Sequence, residues 1–372
     1  MVYLDYAANS PVDIEVLDYY YDIAKKYYAN PNSNHKLGIE AKSLIDKATS
    51  NIAFNLKVTE EEIIYTSGAT ESNNLAIKGI CERYKNYGKH IIVSGLEHNS
   101  IIASATAMQE NGFEVDVLNV TEDGIIDLDN LKELLREDTI LVSICSVDSE
   151  LGIRQPIEKI ADIVKNNPHT IFHTDATQAI GKVSIDFSNV DLITLAPHKF
   201  YGLNGFGLLI KKKEISLKPQ MSGGKSTTVY RSGTPELSNI LALDKALDIA
   251  IKKQEERYNY VDKINKEVKE FLSKYKNVHI NSTENSIPFT INFSIKGVKS
   301  DEFAKKLEEK DIYISTKTSC CPVGTPSKLV FALTHDKQLA LTSLRLSLSH
   351  LTTKEDLDIF YKAFEECIKE VK

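Results

Sequence analysis

Short apolar runs alternate with longer stretches of helical spacing from the first tenth of the chain to about residue 255. The runs have the length of buried strands, and their continuous apolar character is typical of strands covered on both faces. This alternation predicts an α/β architecture with a mostly parallel seven-stranded sheet between helices. The predicted strands are Glu62–Thr66, His90–Ser94, Glu114–Leu118, Thr139–Ile144, Thr170–Thr174, Asp191–Leu195 and Gly205–Ile210.

The pattern changes after residue 236, where a stretch rich in Lys, Glu and Leu predicts mostly helix from Glu236 to about Tyr275. We take this helix as the boundary between a large domain at 15–255 and a smaller α+β domain formed by 1–14 and 256–372. The predicted elements of the smaller domain are the strands Pro288–Ser294, Ile312–Ser315 and Leu344–Leu348, a helix at Ser300–Lys310, and a closing helix from Thr352.

Composition narrows the class of protein. The chain has 372 residues, of which 42% are hydrophobic and 26% charged, as in soluble globular proteins of two domains. A net charge of −7 without a Lys/Arg-rich block gives no reason to expect a nucleic-acid partner. No leader-like segment and no apolar run near the ~18 residues of a membrane span are seen. We therefore expect a cytoplasmic protein without a membrane partner.

Five cysteines without regular spacing fit free thiols in a reducing compartment. Cys81, Cys145 and Cys367 lie in apolar surroundings, where cysteine acts as a small hydrophobic residue. The adjacent pair Cys320 and Cys321 lies in a predicted loop and is the pair that suggests chemistry.

Several residues with candidate chemical roles directly follow the ends of predicted strands. Thr70, His98, Asp175 and Lys199 each follow such a strand, and ligands of open α/β sheets gather at the carboxyl ends of the strands. Thr70 also lies in a Ser-Gly-Ala-Thr turn that opens a helix, whose N-terminus can hold a phosphate group. An amine, a carboxylate and a phosphate site are what a protein must supply to pyridoxal phosphate. These residues therefore suggest one shared site for that cofactor and no metal ion.

The residues around these positions resemble the class V, fold type I, pyridoxal-phosphate enzymes and, within them, the cysteine desulfurases. The resemblance runs over nearly the whole chain, and its ordered matches make it specific. The matching segments are Tyr3–Pro11, Asn30–His35, Gly68–Ile77, Glu97–Ser100, His173–Gln178, His198–Gly202, Arg231–Thr234 and Leu344–Ser347.

The resemblance implies a role for each residue that would hold the cofactor. Lys199 would form the Schiff base, Asp175 would pair with the pyridine nitrogen, and Gln178 would donate to the phenolate oxygen. His98 would stack on the ring and shuttle protons. The phosphate group would be held by Ala69, Thr70 and His198, and by Thr234 of the second subunit of a homodimer.

Two residues are candidates for binding the substrate. Arg345 lies in an otherwise apolar strand, where a fixed guanidinium suits bidentate capture of an amino-acid carboxylate, with a structural ion pair as the alternative. The resemblance implies that Asn34 assists with the same carboxylate.

The loop Ile314–Pro326 carries the two adjacent cysteines. A thiol on a loop can move between a bound substrate and an outside acceptor, which suits sulfur transfer. By resemblance, Cys320 occupies the position of the cysteine that the family carries in this loop, so it is the predicted nucleophile. Cys321 is then an extra thiol. Two incidental loop cysteines are the alternative.

Some positions depart from the family pattern. Ser149 replaces an asparagine expected near the phenolate oxygen, Ala196 replaces a serine expected at the phosphate, and Lys225 lies in an altered glycine-rich run. The chain also stops in its last helix, without the tail expected for delivery of sulfur to an iron–sulfur scaffold. These changes concern cofactor affinity and docking more than the chemical centre.

The predicted function is a pyridoxal-phosphate-dependent L-cysteine desulfurase. It would convert L-cysteine to L-alanine, form a persulfide on Cys320, and pass the sulfur to an acceptor protein or a small thiol. Two alternatives remain open from the sequence. One is another class V enzyme, such as a selenocysteine lyase, an aminotransferase or a β-eliminating lyase, and the other is a non-catalytic protein that keeps the fold to bind a partner.

Overall fold

Strands and helices alternate through most of the computed structural model, which describes residues 1–317 and 324–370. The strands are β1 (Val2–Tyr3), β2 (Ile63–Thr66), β3 (His90–Ser94), β4 (Glu114–Leu118), β5 (Thr139–Ser143), β6 (Ile171–Asp175), β7 (Leu192–Leu195), β8 (Gly207–Lys211), β9 (Val278–Ile280), β10 (Thr290–Ile295), β11 (Ile312–Tyr313) and β12 (Ser343–Ser347). The helices are α1 (Ile14–Lys26), α2 (Lys36–Leu56), α3 (Ala69–Tyr84), α4 (Asn99–Gln109), α5 (Leu128–Leu134), α6 (Ile157–Lys165), α7 (Leu237–Lys252), α8 (Gln254–Ser273), α9 (Ser300–Glu308), α10 (Lys328–Thr334), α11 (Lys337–Leu341) and α12 (Lys354–Glu370).

A seven-stranded sheet with the order β2-β8-β7-β6-β5-β3-β4 occupies the centre of this part of the chain. Strand β8 runs antiparallel to both of its neighbours, and the other neighbouring pairs are parallel. Every residue of β2, β3, β5, β6, β7 and β8 is buried, as expected for strands covered by helices on both faces. The predicted mostly parallel sheet is therefore confirmed.

The carboxyl edge of this sheet is where polar segments enter the interior. Strand β6 ends in Asp175 and β7 leads into the short turn Pro197–Lys199. At the same edge, the turn before α3 packs against the start of β8. A Cβ on Gly207 would lie 2.7 Å from the Cα of Gly68, so this close packing requires glycine at position 207. The parallel strands thus bring the ends of β2, β3, β6 and β7 to one side of the molecule.

The smaller elements form two further sheets. Strands β9, β10 and β12 make an antiparallel sheet in the order β12-β10-β9, and β1 pairs in parallel with β11. The N-terminal segment continues beside β12, because Ser347 donates its backbone N–H to the carbonyl of Leu4 at 2.8 Å. This route carries residues 5–8 to the carboxyl edge of the large sheet.

Several predicted boundaries differ from the structure. The long helix expected from Glu236 to Tyr275 is two helices, α7 and α8, because Lys253 leaves the helical conformation with φ −99° and ψ 7°. The strand expected at Ile312–Ser315 ends at Tyr313, and Ser315 makes an isolated bridge with Arg345. Strand β9 and helices α10 and α11 were not predicted. Across the described ranges, no helix is both long enough and apolar enough to cross a membrane.

Candidate active site

A cavity of about 370 Å³ opens at the carboxyl edge of the large sheet. The N-terminal segment contributes Ala7 and Ala8 to its wall, and β12 contributes Arg345. The structure brings together most of the residues that the sequence predicted for the site. Those that line the cavity are Ala69, Thr70, His98, Asp175, Gln178, His198, Lys199 and Arg345.

Lys199 extends into the cavity from the turn that follows β7. Its Nζ donates to the carbonyl oxygen of Ala7 at 2.8 Å and to that of Ala8. Pro197 starts the turn at a position where a missing N–H is tolerated, and Tyr201 ends it with a φ of +69°. The amine is therefore held at the cavity wall by a chain segment almost 200 positions away in sequence.

His198 precedes the lysine and is half-buried. Burial, followed by the positive charges of Lys199 and Lys182, lowers the pKa of His198 to about 4. Its imidazole is therefore neutral at pH 7 and keeps one N–H that can donate to an anion.

Asp175 is buried at the end of β6, with 6% of its surface exposed. Oδ1 accepts from the backbone N–H of Thr177 at 2.9 Å, and Oδ2 accepts from Nδ2 of Asn73 at 2.8 Å. Two donors on the two oxygens fix the plane of the carboxylate. An acid held in this way suits pairing with a protonated ring nitrogen.

A hydrogen-bonded network links Asp175 to His98. The second hydrogen of Asn73 Nδ2 goes to Oγ of Ser100 at 2.9 Å, and that hydroxyl lies 2.8 Å from Nδ1 of His98. Because the backbone N–H of Ser100 also donates to Nδ1, this nitrogen acts as an acceptor and the neutral ring carries its proton on Nε2. Burial lowers the pKa of His98.

Asn73 and Ser100 were missed by the sequence analysis, although both lie inside motifs that it quoted. The available signal was the position of Asn73 one turn after Thr70, on the same face of α3. A buried amide on that face needs partners, and here they belong to the site.

The N-terminus of α3 forms another side of the cavity. Gly68 precedes the helix with φ +150°, and the first-turn N–H groups of Ala69 and Thr70 have no acceptor within the helix. Glu71 lines the same end, but its carboxylate accepts from Arg231 at 2.9 Å and from the backbone N–H of Ser67 at 2.6 Å. Because Arg231 offsets this acidic charge, the helix end stays suited to an anion.

Gln178 lies between the cavity and the interior. Its Nε2 donates to the carbonyl of Ala7 at 2.9 Å, and its Oε1 accepts from Nζ of the buried Lys182 at 2.6 Å. Gln178 and Lys199 thus share the Ala7 carbonyl. The N-terminal segment orients both side chains.

Arg345 lines the cavity but is already engaged. Its Nη2 pairs with Oδ1 of Asp5 at 2.7 Å, and its Nη1 donates to the carbonyl of Ser149 at 2.8 Å. The structural ion pair that the sequence left as the less favoured alternative is therefore present. Nε is buried and has no acceptor among the described residues, while the residue as a whole lines the cavity.

Asn34 and Thr234 do not line this cavity in the chain, although the sequence predicted both for the site. Asn34 is exposed in the loop before α2. Thr234 is exposed and lines a separate cavity of about 80 Å³. Cys320, with its neighbour Cys321, lies outside the described residues.

The residues present fit pyridoxal phosphate. Two of the residues that line the cavity, Thr177 and Arg345, each carry a buried polar atom with no partner in the described ranges, Oγ1 and Nε. Unsatisfied buried polar atoms are costly in a folded protein unless a ligand or water completes them. The cavity thus combines the helix end for a phosphate, Asp175 for a ring nitrogen and Lys199 for an aldehyde.

Comparisons with known proteins give one family. The sequence model described as Aminotransferase class-V matches residues 2–360. A curated relative named cysteine desulfurase IscS, from Dictyoglomus turgidum, is 35% identical over 100% of this chain and 95% of its own.

Solved structures give the same result. One described as a NIFS-like protein superposes with a TM-score of 0.94 and 31% identity, over 99% of each chain. Another, described as SspA in complex with cysteine, has a TM-score of 0.83 and 30% identity, over 94% of this chain and 99% of that one.

Proposed function

Because the chain belongs to the class-V aminotransferase family, we propose that it is a pyridoxal-phosphate-dependent L-cysteine desulfurase. The resemblance predicted from the sequence is confirmed, and so is the fold type I architecture. The observation that carries the proposal is the meeting of Lys199, Asp175 and the N-terminus of α3 in one cavity. The cysteine complex of a structural relative supports L-cysteine as the substrate.

The chain's own residues can hold the cofactor without rearrangement of the sheet. The N–H groups of Ala69 and Thr70, with the neutral His198, would hold the phosphate group. Asp175 would keep a proton on the ring nitrogen, and Lys199 would form the covalent link through Nζ. When bound, pyridoxal phosphate supplies an electron sink that makes removal of a substrate α-proton feasible.

Lys199 and His98 are the groups placed to move protons. Lys199 Nζ would take the proton from the substrate Cα, and the two carbonyls of Ala7 and Ala8 orient the amine. His98 presents Nε2 because Nδ1 is held by Ser100. The Asn73 amide ties this imidazole to Asp175, so the acid and the histidine keep a fixed relative orientation.

Sulfur leaves the substrate in a step that balances without an outside oxidant. The thiolate of Cys320 attacks the substrate sulfur, an S–S bond forms, and the C–S bond breaks. The electron pair of that bond stays with the substrate β-carbon, which gains one proton to become the methyl group of L-alanine. The enzyme keeps the sulfur as a Cys320 persulfide, which an acceptor protein or a small thiol can remove.

We also propose that the enzyme is a homodimer in which Thr234 reaches the site of the other subunit. Its exposed position outside the cavity of its own chain supports this role. The cytoplasmic location remains a prediction from the sequence.

Alanine and sulfide released from L-cysteine test the function. With a reducing thiol present, purified protein should form both products in equal amounts. Lys199→Ala should form neither product, and Cys320→Ser should form neither while it retains the cofactor. Pyruvate and ammonia in place of alanine would show a β-eliminating lyase instead.

Borohydride reduction tests the cofactor link separately. Peptide mass analysis of the reduced protein should place a pyridoxyl group on Lys199. A pyridoxyl group on Lys182, or on no lysine, would contradict the assignment.

A further inference from the structure

Lys182 is a buried lysine that lies beside the active-site cavity without lining it. Only 8% of its surface is exposed, and it follows Gln178 by four positions in the turns after β6. Gly181 has a φ of +75°, and a Cβ there would lie 2.9 Å from Cβ of Ala250 and 3.1 Å from Cβ of Phe200. Glycine therefore lets this segment pack tightly against the residue that follows Lys199.

Within the described part of the chain, no opposite charge acts on Lys182. The charged groups that act on it are Lys199 and Arg345, both of which are cations. Its ammonium lies 5.9 Å from the centre of the Phe289 ring, and its Nζ donates to Oε1 of Gln178 at 2.6 Å. Burial, and then the two neighbouring cations, lower the pKa of Lys182 to about 7. A lysine buried under these conditions costs stability, which points to a role for its one hydrogen bond to Gln178.

The two partners of Gln178 determine which way its amide faces. Lys182 Nζ donates to the oxygen of the amide, and the carbonyl of Ala7 can only accept, so it requires the nitrogen. One N–H of Nε2 is used by Ala7, and since Gln178 lines the cavity, the second N–H is the one available to a bound cofactor. A flipped amide would turn its oxygen toward the cavity, where it would repel the anionic ring oxygen of the cofactor.

We propose that Lys182 is a positioning residue of the cofactor site, which holds the Gln178 amide with its N–H groups toward the cavity. This inference rests on the proposed function, since it concerns the binding of pyridoxal phosphate. Lys182 acts through Gln178 and touches neither the cofactor nor the substrate.

A double-mutant cycle on the dissociation constant of pyridoxal phosphate tests this role. Lys182→Met should raise the constant of the holoenzyme about fivefold, the factor that corresponds to ~1 kcal/mol for one net hydrogen bond. Gln178→Leu should raise it at least as much. The double variant should bind no more weakly than Gln178→Leu alone, because Lys182 has no amide left to orient.

Lys211→Met is the matched control. Lys211 is also buried, with 2% of its surface exposed, but it lies at the end of β8 that faces away from the cavity edge. Its Nζ donates to the carbonyls of Lys212 and Ile215 at 3.0 and 2.8 Å. This variant should lose stability and leave the dissociation constant of the cofactor unchanged.

Two conservative variants carry the test if Lys182→Met does not fold. Arginine at this position can only donate, so Lys182→Arg should keep the affinity, whereas Lys182→Gln can also accept and should weaken it. Equal affinities of these two variants, or additive effects in the cycle, would overturn the inference. A wild-type protein that carries no pyridoxyl group on Lys199 after borohydride reduction would instead overturn the proposed function.

Discussion

Asp5 and Arg345 form an ion pair at the wall of the cavity, with 2.7 Å between Oδ1 and Nη2. The two residues are 340 positions apart, and the pairing of β1 with β11 brings the N-terminal segment to β12. Arg345 also donates to the Ser149 carbonyl, so its guanidinium is oriented on two sides before a substrate binds. A guanidinium fixed in this way loses little freedom when a carboxylate arrives.

Arg345→Lys should weaken the binding of L-cysteine and leave cofactor binding intact. Lysine keeps the charge, but its ammonium lacks the planar set of donors of a guanidinium. It therefore cannot bond to Asp5, the Ser149 carbonyl and the substrate carboxylate at the same time. Loss of a charge-assisted hydrogen bond corresponds to about 1.5–3 kcal/mol, so KM should rise about tenfold or more. Steady-state kinetics and a cofactor titration check both parts. Asp5→Asn, which still accepts a hydrogen bond, should raise KM less, and an unchanged KM in Arg345→Lys would refute the carboxylate role.

Asn73→Ala should weaken cofactor binding, because one amide group serves both Asp175 and Ser100. Its removal leaves Oδ2 of Asp175 without this donor and frees the hydroxyl that holds His98. The cost of an unsatisfied buried group is about 1–3 kcal/mol, which is at least a several-fold rise in the dissociation constant of the cofactor. Asn74→Ala is the matched control on the same helix, since Asn74 bonds to the Thr70 carbonyl on an exposed surface. Equal losses in the two variants would show that the amide of Asn73 has no special role.

Glu97→Gln should change how stability depends on pH. Oε1 of Glu97 accepts from the hydroxyl of Ser94 at 2.6 Å and from the backbone N–H of Cys145 at 2.7 Å, while Oε2 is buried without a partner in the described ranges. Burial raises the pKa of Glu97 to about 8. The folded protein therefore binds a proton that the unfolded chain, with a carboxyl pKa of about 4.3, has already lost.

This contribution of Glu97 to stability is fully present below the unfolded pKa and is lost as the pH rises through about 8. Glutamine can accept the same two hydrogen bonds and does not ionise. The free energy of unfolding of Glu97→Gln relative to wild type should therefore increase between about pH 5 and about pH 9. Urea unfolding of the variant and the wild type at both pH values measures this difference in free energy. The same difference at the two pH values would contradict a protonated Glu97 in the folded state.

The sequence was most informative where the physical signal was local. Continuous apolar runs predicted the central sheet, and the polar residues directly after them, such as Asp175 and Lys199, predicted one site at its carboxyl edge. The ordered motifs then predicted the family. These signals need no knowledge of the path of the chain.

Contacts between segments that are distant in the chain could not be predicted from the sequence. Nothing near Arg345 indicates that Asp5 is its partner, and the spacing of α3 does not reveal that Asn73 bonds to both Asp175 and Ser100. The helical spacing is also continuous across Lys253, so the break between α7 and α8 has no local signature. The burial of Lys182 follows from the packing of Gly181 against Phe200 and Ala250, which is a tertiary contact.

We propose that sulfur from L-cysteine is transferred to Cys320 while the substrate becomes L-alanine. Cys320 keeps the family's distance from the preceding predicted strand, whereas Cys321 precedes Pro322, whose ring restricts the backbone of the residue before it. The most direct test is mass spectrometry of the purified protein after one equivalent of L-cysteine, without a reducing thiol, together with measurement of alanine. We expect one alanine per transferred sulfur and a persulfide on Cys320, in the wild type and in Cys321→Ser, with neither product in Cys320→Ser. A Cys321 persulfide that forms in Cys320→Ser at the wild-type rate, or turnover without alanine, would contradict it.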